Sequence, residues 1–215
     1  MEYFENECTE TLEGLYVSGE KVAKDYEALK KHGITHIVNC AADYCENWFE
    51  DRGINYLAFF LKDSQNESIE CLFYRVIEFI EAALKSKRNI LVHCIQGISR
   101  SVTMAIAYVM FVYKYDYKKA EAFVKQKRGV ASPNNGFMVE LIQFHKRLYE
   151  DFDSLPQPRI YLVSSHCKET PQIITARLLK HPLYEKRKNI GMDCRGIYII
   201  VTRDEVLLWV GSRCE

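Results

Sequence analysis

In the stretch His93-Cys94-Ile95-Gln96-Gly97-Ile98-Ser99-Arg100-Ser101 a cysteine precedes an arginine by six positions, with a glycine midway and a serine directly after. A thiolate is a strong nucleophile and a guanidinium is a planar fork for two oxygens, so this spacing suits the capture and attack of a phosphoryl group. A helix start supplies what such a loop needs: unpaired N–H groups and the positive end of the macrodipole, which hold an anion and favour a thiolate. Arg100 would stabilise the charge that builds in the transition state. Gly97 admits a close backbone approach, and Ser101 can donate a hydrogen bond to the thiolate as a phosphocysteine breaks down. Ile95, Gln96, Gly97, Ile98 and Ser99 are the phosphate-binding loop on this reading, with His93 bracing it by a hydrogen bond. A lone cysteine beside a surface arginine would more simply be a buried structural thiol. Cys-x5-Arg with a central glycine and a trailing serine is a more specific pattern.

Two elements must present that loop. Asn89 to Val92 is a strand-like apolar run, and Ser101 to Tyr115 is a nearly continuous apolar run, which predicts a helix buried on most sides. Ahead of them, Leu15-Tyr16-Val17 reads as a short strand and residues 1–13 as a loose acidic lead-in. Val22, Tyr26 and Leu29 at helical spacing predict one helix over Glu20 to His32, stopped by Gly33. Ile34 to Cys40 and Tyr56 to Phe60 read as buried strands, and Ser68 to Ser86 as an amphipathic helix. Tyr117 to Lys127 and Gly136 to Asp151 are further helices. Strands alternating with helices imply an α/β fold, a mainly parallel central sheet flanked by helices, with ligands at the carboxyl ends of the strands. Cys71 of that Ser68-to-Ser86 helix is expected in the core rather than as a redox partner of Cys94. The lysines from Lys114 to Lys127 read as a solvated face, with kinase docking as the alternative.

Composition excludes several classes. The 215 residues carry a formal net charge of zero, which gives no reason to expect nucleic acid or an anionic membrane as a partner. No apolar run reaches the length of a membrane span, and the N-terminus lacks the basic start and apolar centre of a signal peptide. The eight cysteines show no CxxC spacing, so neither a zinc site nor a disulfide framework is suggested. His32 and His36 are separated by Gly33, which breaks the helix that would align them, so no metal and no cofactor are expected. A reducing compartment fits, cytoplasmic or also nuclear.

His-Cys-x5-Arg-Ser followed by Met104-Ala105-Ile106-Ala107-Tyr108-Val109-Met110 resembles the signature of the dual-specificity branch of cysteine-based protein phosphatases. Gly14-Leu15-Tyr16-Val17-Ser18, Gly33-Ile34-Thr35-His36-Ile37-Val38-Asn39 and Ser132-Pro133-Asn134-Asn135-Gly136-Phe137 stand in the order that family shows. The likeness covers roughly residues 12 to 150, and the catalytic domain is expected at 1–151. In its own right Asp63, in the polar loop Lys62 to Glu67, reads as a turn residue. The resemblance implies another role, because the family draws its general acid from this loop, and Asp63 is the only aspartate between Asp51 and Cys94. It would protonate the leaving oxygen and then take a proton from the water that attacks phosphocysteine.

Asp153-Ser154-Leu155-Pro156-Gln157-Pro158 reads as a linker, placed at 152–158. Beyond it, Arg159 to Val163 predicts a strand, and Gly196 to Val201 with Val206 to Val210 a hairpin turning at Thr202 to Glu205. Gly196-Ile197-Tyr198-Ile199-Ile200 and Leu208-Trp209-Val210-Gly211 resemble part of a gelsolin-like module, so 159–215 is expected to be a small partial α+β unit. This chain has Gly196 where that family often carries an aspartate calcium ligand. A phosphatase followed by such a region resembles the MAP kinase phosphatases of plant type. Gln96 and Arg128-Gly129-Val130-Ala131 resemble that branch too.

The resemblance thus implies hydrolysis of phosphotyrosine and of phosphoserine or phosphothreonine, on a MAP kinase, with a partner for the tail; actin enters only by family association. A phosphoinositide or RNA-end phosphatase would need more lysines in the loop than positions 95, 96, 98 and 99 supply. A rhodanese-like sulfur transfer is disfavoured by Arg100-Ser101 and the Asp63 loop. A phosphoprotein-binding scaffold with little turnover is the alternative from another class, and Cys94→Ser separates it from an enzyme.

Overall fold

The computed structural model describes residues 4, 6–150, 158–179 and 192–214. The chain divides into two compact units, Met1–Tyr149 and Glu150–Glu215. The expected linker lies, apart from Pro158, outside the described residues.

The first unit is built on five strands: β1 (Thr9–Leu12), β2 (Leu15–Ser18), β3 (Ile34–Asn39), β4 (Asn55–Ala58) and β5 (Asn89–His93), in the order β1-β2-β5-β3-β4. Three of the four pairings are parallel, and only β1 runs against its neighbour β2. β5 is therefore central, and its Ile90, Leu91 and Val92 are completely buried, as expected for a strand covered on both faces. The helices are α1 (Glu20–Ala23), α2 (Tyr26–Lys31), α3 (Phe73–Lys85), α4 (Arg100–Tyr113), α5 (Tyr117–Lys127) and α6 (Asn135–Tyr149). α4 follows β5 and is buried from Arg100 to Met110, which its unbroken apolar run requires.

Three departures from the sequence reading have local causes. The single helix expected over Glu20 to His32 is two, because the Asp25 carboxylate accepts from Ala28 N at 3.1 Å and starts a new helix there. The loose lead-in is corrected from Thr9 onward: Thr9–Leu12 pairs with β2 and gives the sheet an antiparallel edge. The helix expected from Ser68 begins as a single 3₁₀ turn, Glu70–Leu72, before α3 takes over.

The second unit is a four-stranded antiparallel sheet of β6 (Arg159–Ser165), β7 (Ile174–Leu178), β8 (Ile197–Val201) and β9 (Val206–Val210), ordered β7-β6-β8-β9. The hairpin closes at the expected turn, with Thr202 N bonded to Glu205 O at 2.9 Å. Among the described residues this unit holds strands and no helix; residues 180–191, within the span expected to be α+β, lie outside the described residues. The register puts Val206, Leu208 and Val210 on one face with Val201, Ile199 and Ile197, and those three β9 side chains are 68%, 67% and 55% exposed.

Candidate active site

β5 ends at His93, and the chain turns through residues 94–99 into the first turn of α4, the strand–loop–helix expected for an anion site. What shapes the loop is the fate of its carbonyls. Ile95 O accepts from Glu20 N at 2.9 Å, Ile98 O from Ser132 N at 2.9 Å and Ser99 O from Thr103 N at 2.8 Å. Gly97 O accepts from Arg128 Nε at 2.7 Å and Gln96 O from Arg128 NH2 at 3.5 Å. Every carbonyl from Ile95 to Ser99 is thus held from outside the loop. In a trans peptide the following N–H points the opposite way, so the amides are left to a common centre. Gly97 has φ +72°, and a Cβ there would lie 2.6 Å from Ser18 O and from the Arg128 guanidinium, so only glycine fits.

At that centre stands Cys94, 1% exposed, whose Sγ accepts from Gly97 N at 3.2 Å and lies 3.3 Å from Ser101 Oγ. Ser101 is completely buried, which suits a hydroxyl reserved for the sulfur. Arg100 is also buried; its NH1 donates to Leu61 O at 3.0 Å, which anchors the guanidinium to the chain just before Asp63. Its Nε has no hydrogen-bond partner among the described residues, and Asp63 Oδ2 is 3.7 Å away. A buried guanidinium N–H without a protein acceptor matches a phosphoryl oxygen. His93 is buried beneath the loop: its Nδ1 donates weakly to Cys94 O at 3.4 Å, Trp48 lies against the ring at 6.1 Å, and burial holds its pKa down at about 4. The imidazole is therefore neutral at physiological pH.

Asp63 reaches the site from another direction. Its Oδ1 accepts from Ser99 Oγ and from Asn134 Nδ2, both at 2.8 Å, while its side chain stays 39% exposed. Asn134 also caps α6, accepting from Phe137 N at 3.0 Å, and its own N–H donates to Ser99 Oγ at 3.2 Å. Next to it, Gly136 lies so close to the Gln65 backbone that any side chain would overlap it. The loop after β4, the phosphate loop and the start of α6 are thus tied into one cluster.

The nine residues from His93 to Ser101 and Asp63 are therefore brought together. The sequence reading assigned no task to Arg128, Asn134 or Gly136, nor to the Ser99 hydroxyl beyond its place in the loop. Arg128, noted in the sequence only as part of the Arg128-Gly129-Val130-Ala131 resemblance, is completely buried. The nearest signal was the Ser132-Pro133-Asn134-Asn135-Gly136-Phe137 run itself.

A mainly parallel sheet whose central strand opens into a Cys-x5-Arg cradle defines the cysteine-based phosphatase fold. Within it, the family model "Dual specificity phosphatase, catalytic domain" matches residues 15–147, and the chain belongs to that family. Protein-tyrosine-phosphatase MKP1 of Arabidopsis thaliana is 36% identical over 215 residues, covering 99% of this chain and 26% of that protein. Dual specificity protein phosphatase 22 of Homo sapiens is 36% identical over 141 residues, covering 66% of this chain and 75% of that one. The crystal structure of the human tyrosine phosphatase-like serine/threonine/tyrosine-interacting protein superposes with a TM-score of 0.62 at 32% identity, over 66% of this chain and 97% of that one. The chain spans only 26% of the length of the first of these relatives. No helix among the described residues is long and apolar enough to cross a membrane.

Proposed function

We propose that this chain hydrolyses phosphotyrosine and phosphothreonine or phosphoserine in proteins through a phosphocysteine intermediate, and that its substrate is a MAP kinase. The observation that carries the proposal is the buried Cys94 Sγ, held between Gly97 N and Ser101 Oγ, with Arg100 Nε and Asp63 Oδ2 facing one another 3.7 Å apart beside it. In the first step the Cys94 thiolate attacks phosphorus, forming the S–P bond as the P–O bond to the side chain breaks. Asp63 gives its proton to the departing oxygen, and Arg100 with the loop amides holds the equatorial oxygens. In the second step Asp63, now a carboxylate, takes a proton from water as that water attacks phosphorus. The sulfur leaves as a thiolate, accepting a hydrogen bond from Ser101. The MAP kinase assignment draws on the similarity to the Arabidopsis protein, which runs through both units.

The second unit is, on the same proposal, a gelsolin-like region that binds a protein partner. The uncovered apolar face made by Val206, Leu208 and Val210 supports that role.

The test is hydrolysis of an activation-loop peptide phosphorylated on both threonine and tyrosine, with each phosphate followed separately. Wild type should release both, and Cys94→Ser should release neither while still binding the peptide. Tight binding without release by either protein would establish the scaffold instead.

A further inference from the structure

Arg128 is an arginine with 0% exposure, and such residues are almost never fully buried unless their charge and donors are matched. Its donors are matched by neutral oxygens from three places. From the phosphate loop come Gly97 O on Nε at 2.7 Å and Gln96 O on NH2 at 3.5 Å. From β2 comes Val17 O on NH1 at 3.5 Å. From the N-terminal segment come Thr9 Oγ1 at 2.9 Å and Glu7 O at 3.3 Å on NH1, and Phe4 O at 3.2 Å on NH2. Thr9 Oγ1, while accepting from Arg128, donates to Glu7 Oε1 at 3.1 Å, so a relay of hydrogen bonds runs from the phosphate loop to an acidic side chain outside it.

The two loop contacts fix two successive peptide planes. With Gln96 O held by the guanidinium, the trans partner of that carbonyl, Gly97 N–H, is turned the other way, where it donates to Cys94 Sγ at 3.2 Å. With Gly97 O held, Ile98 N–H is turned in the same sense. The guanidinium also fills the space a Gly97 side chain would need. Burial pulls the pKa of Arg128 down and the nearby Glu7 carboxylate opposes that pull. Its six acceptors are backbone carbonyls and the Thr9 hydroxyl, none of them a carboxylate. The family match begins at residue 15, so the acceptors on Phe4, Glu7 and Thr9 come from ahead of it.

We infer that Arg128 is a positioning residue for the nucleophile: through Gln96 and Gly97 it aims a backbone N–H at Cys94, and Phe4, Glu7 and Thr9 set how firmly it does so. The inference rests on the reading of Cys94 as the thiolate nucleophile. It makes the N-terminal segment part of the catalytic unit, and a partner or modification that displaced residues 4–9 would loosen the cradle without touching the substrate. The other groups facing Cys94 are Arg100 from α4, His93 beneath the loop, and Cys40 and Cys45 at and beyond the end of β3. None of them contacts the Gln96 and Gly97 carbonyls.

The experiment is alkylation of Cys94 by iodoacetamide on the intact chain, read at the Cys94 peptide by mass spectrometry across the pH range, with kcat and KM on the phosphopeptide. Wild type should react nearly as fast at about pH 6 as at about pH 9, as a stabilised thiolate does. Arg128→Met should lose at least about tenfold at the low pH and converge with wild type at the high one. Arg128→Lys should fall between them, since an ammonium keeps the charge but lacks the planar, pre-oriented fork of the guanidinium. Thr9→Val, which breaks the relay, should lose a few-fold in the same pH-dependent way. A wild-type profile in Arg128→Met overturns the inference, and so does an equal loss at every pH. Should Arg128→Met not fold, Thr9→Val decides alone: an unchanged profile overturns the inference and a shifted one supports it. Ordinary thiol behaviour in wild type would instead sink the reading of Cys94, and the inference with it.

Discussion

The two sides of the active site are built on different plans. The cradle side is continuous in sequence: Cys94, the loop amides, Arg100 and Ser101 lie within eight residues, with Cys94, Arg100 and Ser101 buried and the carbonyls of residues 95–99 each held by a partner from outside the loop. The side proposed to supply the acid is assembled from afar. Asp63 meets Ser99 across 36 positions and Asn134 across 71, and its side chain remains 39% exposed. A continuous, buried site has few ways to be wrong, whereas an assembled one depends on three elements arriving together. The cradle should therefore tolerate little change of any kind, while the acid side should be tunable, with losses that depend on how much the leaving group needs a proton.

Substitutions on the acid side sharpen this contrast. Asp63→Asn should slow release from an alkyl phosphate, such as a phosphothreonine peptide, by about 10²–10⁴-fold, and release from an activated aryl phosphate far less. Equal losses on both substrates would remove Asp63 from the acid role. A smaller effect is expected from Asn134→Asp, which keeps the cap on Phe137 N but replaces the donor to Asp63 with a like charge. It should cost roughly tenfold on the alkyl phosphate at little cost in melting temperature. Asn134→Ala should lose the same turnover and, with the cap gone, about 1 kcal/mol of stability as well. If Asn134→Asp turned over alkyl phosphates like wild type, the clamp would be incidental.

The cradle side makes its own prediction through pH. Folded His93 has a pKa of about 4, below the ordinary value of about 6.5, so the native state binds fewer protons than the unfolded chain between those values. Its neutral burial therefore favours folding fully above pH 6.5 and progressively less as pH falls toward 4, by up to about 3 kcal/mol. Urea unfolding of wild type and His93→Gln from pH 7 to pH 4 checks this. The variant should show a shallower loss, and parallel curves would mean that His93 titrates normally.

How much of this was legible in the sequence follows the same division. Cys94, Arg100 and Ser101 could be read because the chemistry and the turn that presents it occupy one short stretch. The central strand and α4 were legible because their apolar runs leave no polar face. Asp63 had no such signal, since a single aspartate in a polar loop looks like a turn, and only the family resemblance raised it. Arg128 was the least legible. A cation near a helix end is usually solvated, and the oxygens that match this one, on Phe4, Glu7, Thr9, Val17, Gln96 and Gly97, all lie more than thirty positions away in sequence. The capping role of Asp25 was available in principle and was hidden by the helical spacing that runs through it. In the second unit, the hairpin was marked by two apolar runs and a polar turn. β7 was not, because Arg177 interrupts a five-residue strand.

The most direct test of the account is whether phosphate passes through Cys94. Wild type and Cys94→Ser should be mixed with the doubly phosphorylated peptide, quenched within a single turnover, and examined by mass spectrometry for a phosphoryl group on residue 94. The account predicts a transient phosphoryl adduct on Cys94 of the wild type that forms before free phosphate appears, and none on the serine variant. Release of phosphate from wild type with no adduct at any time, or undiminished release by Cys94→Ser, would contradict it.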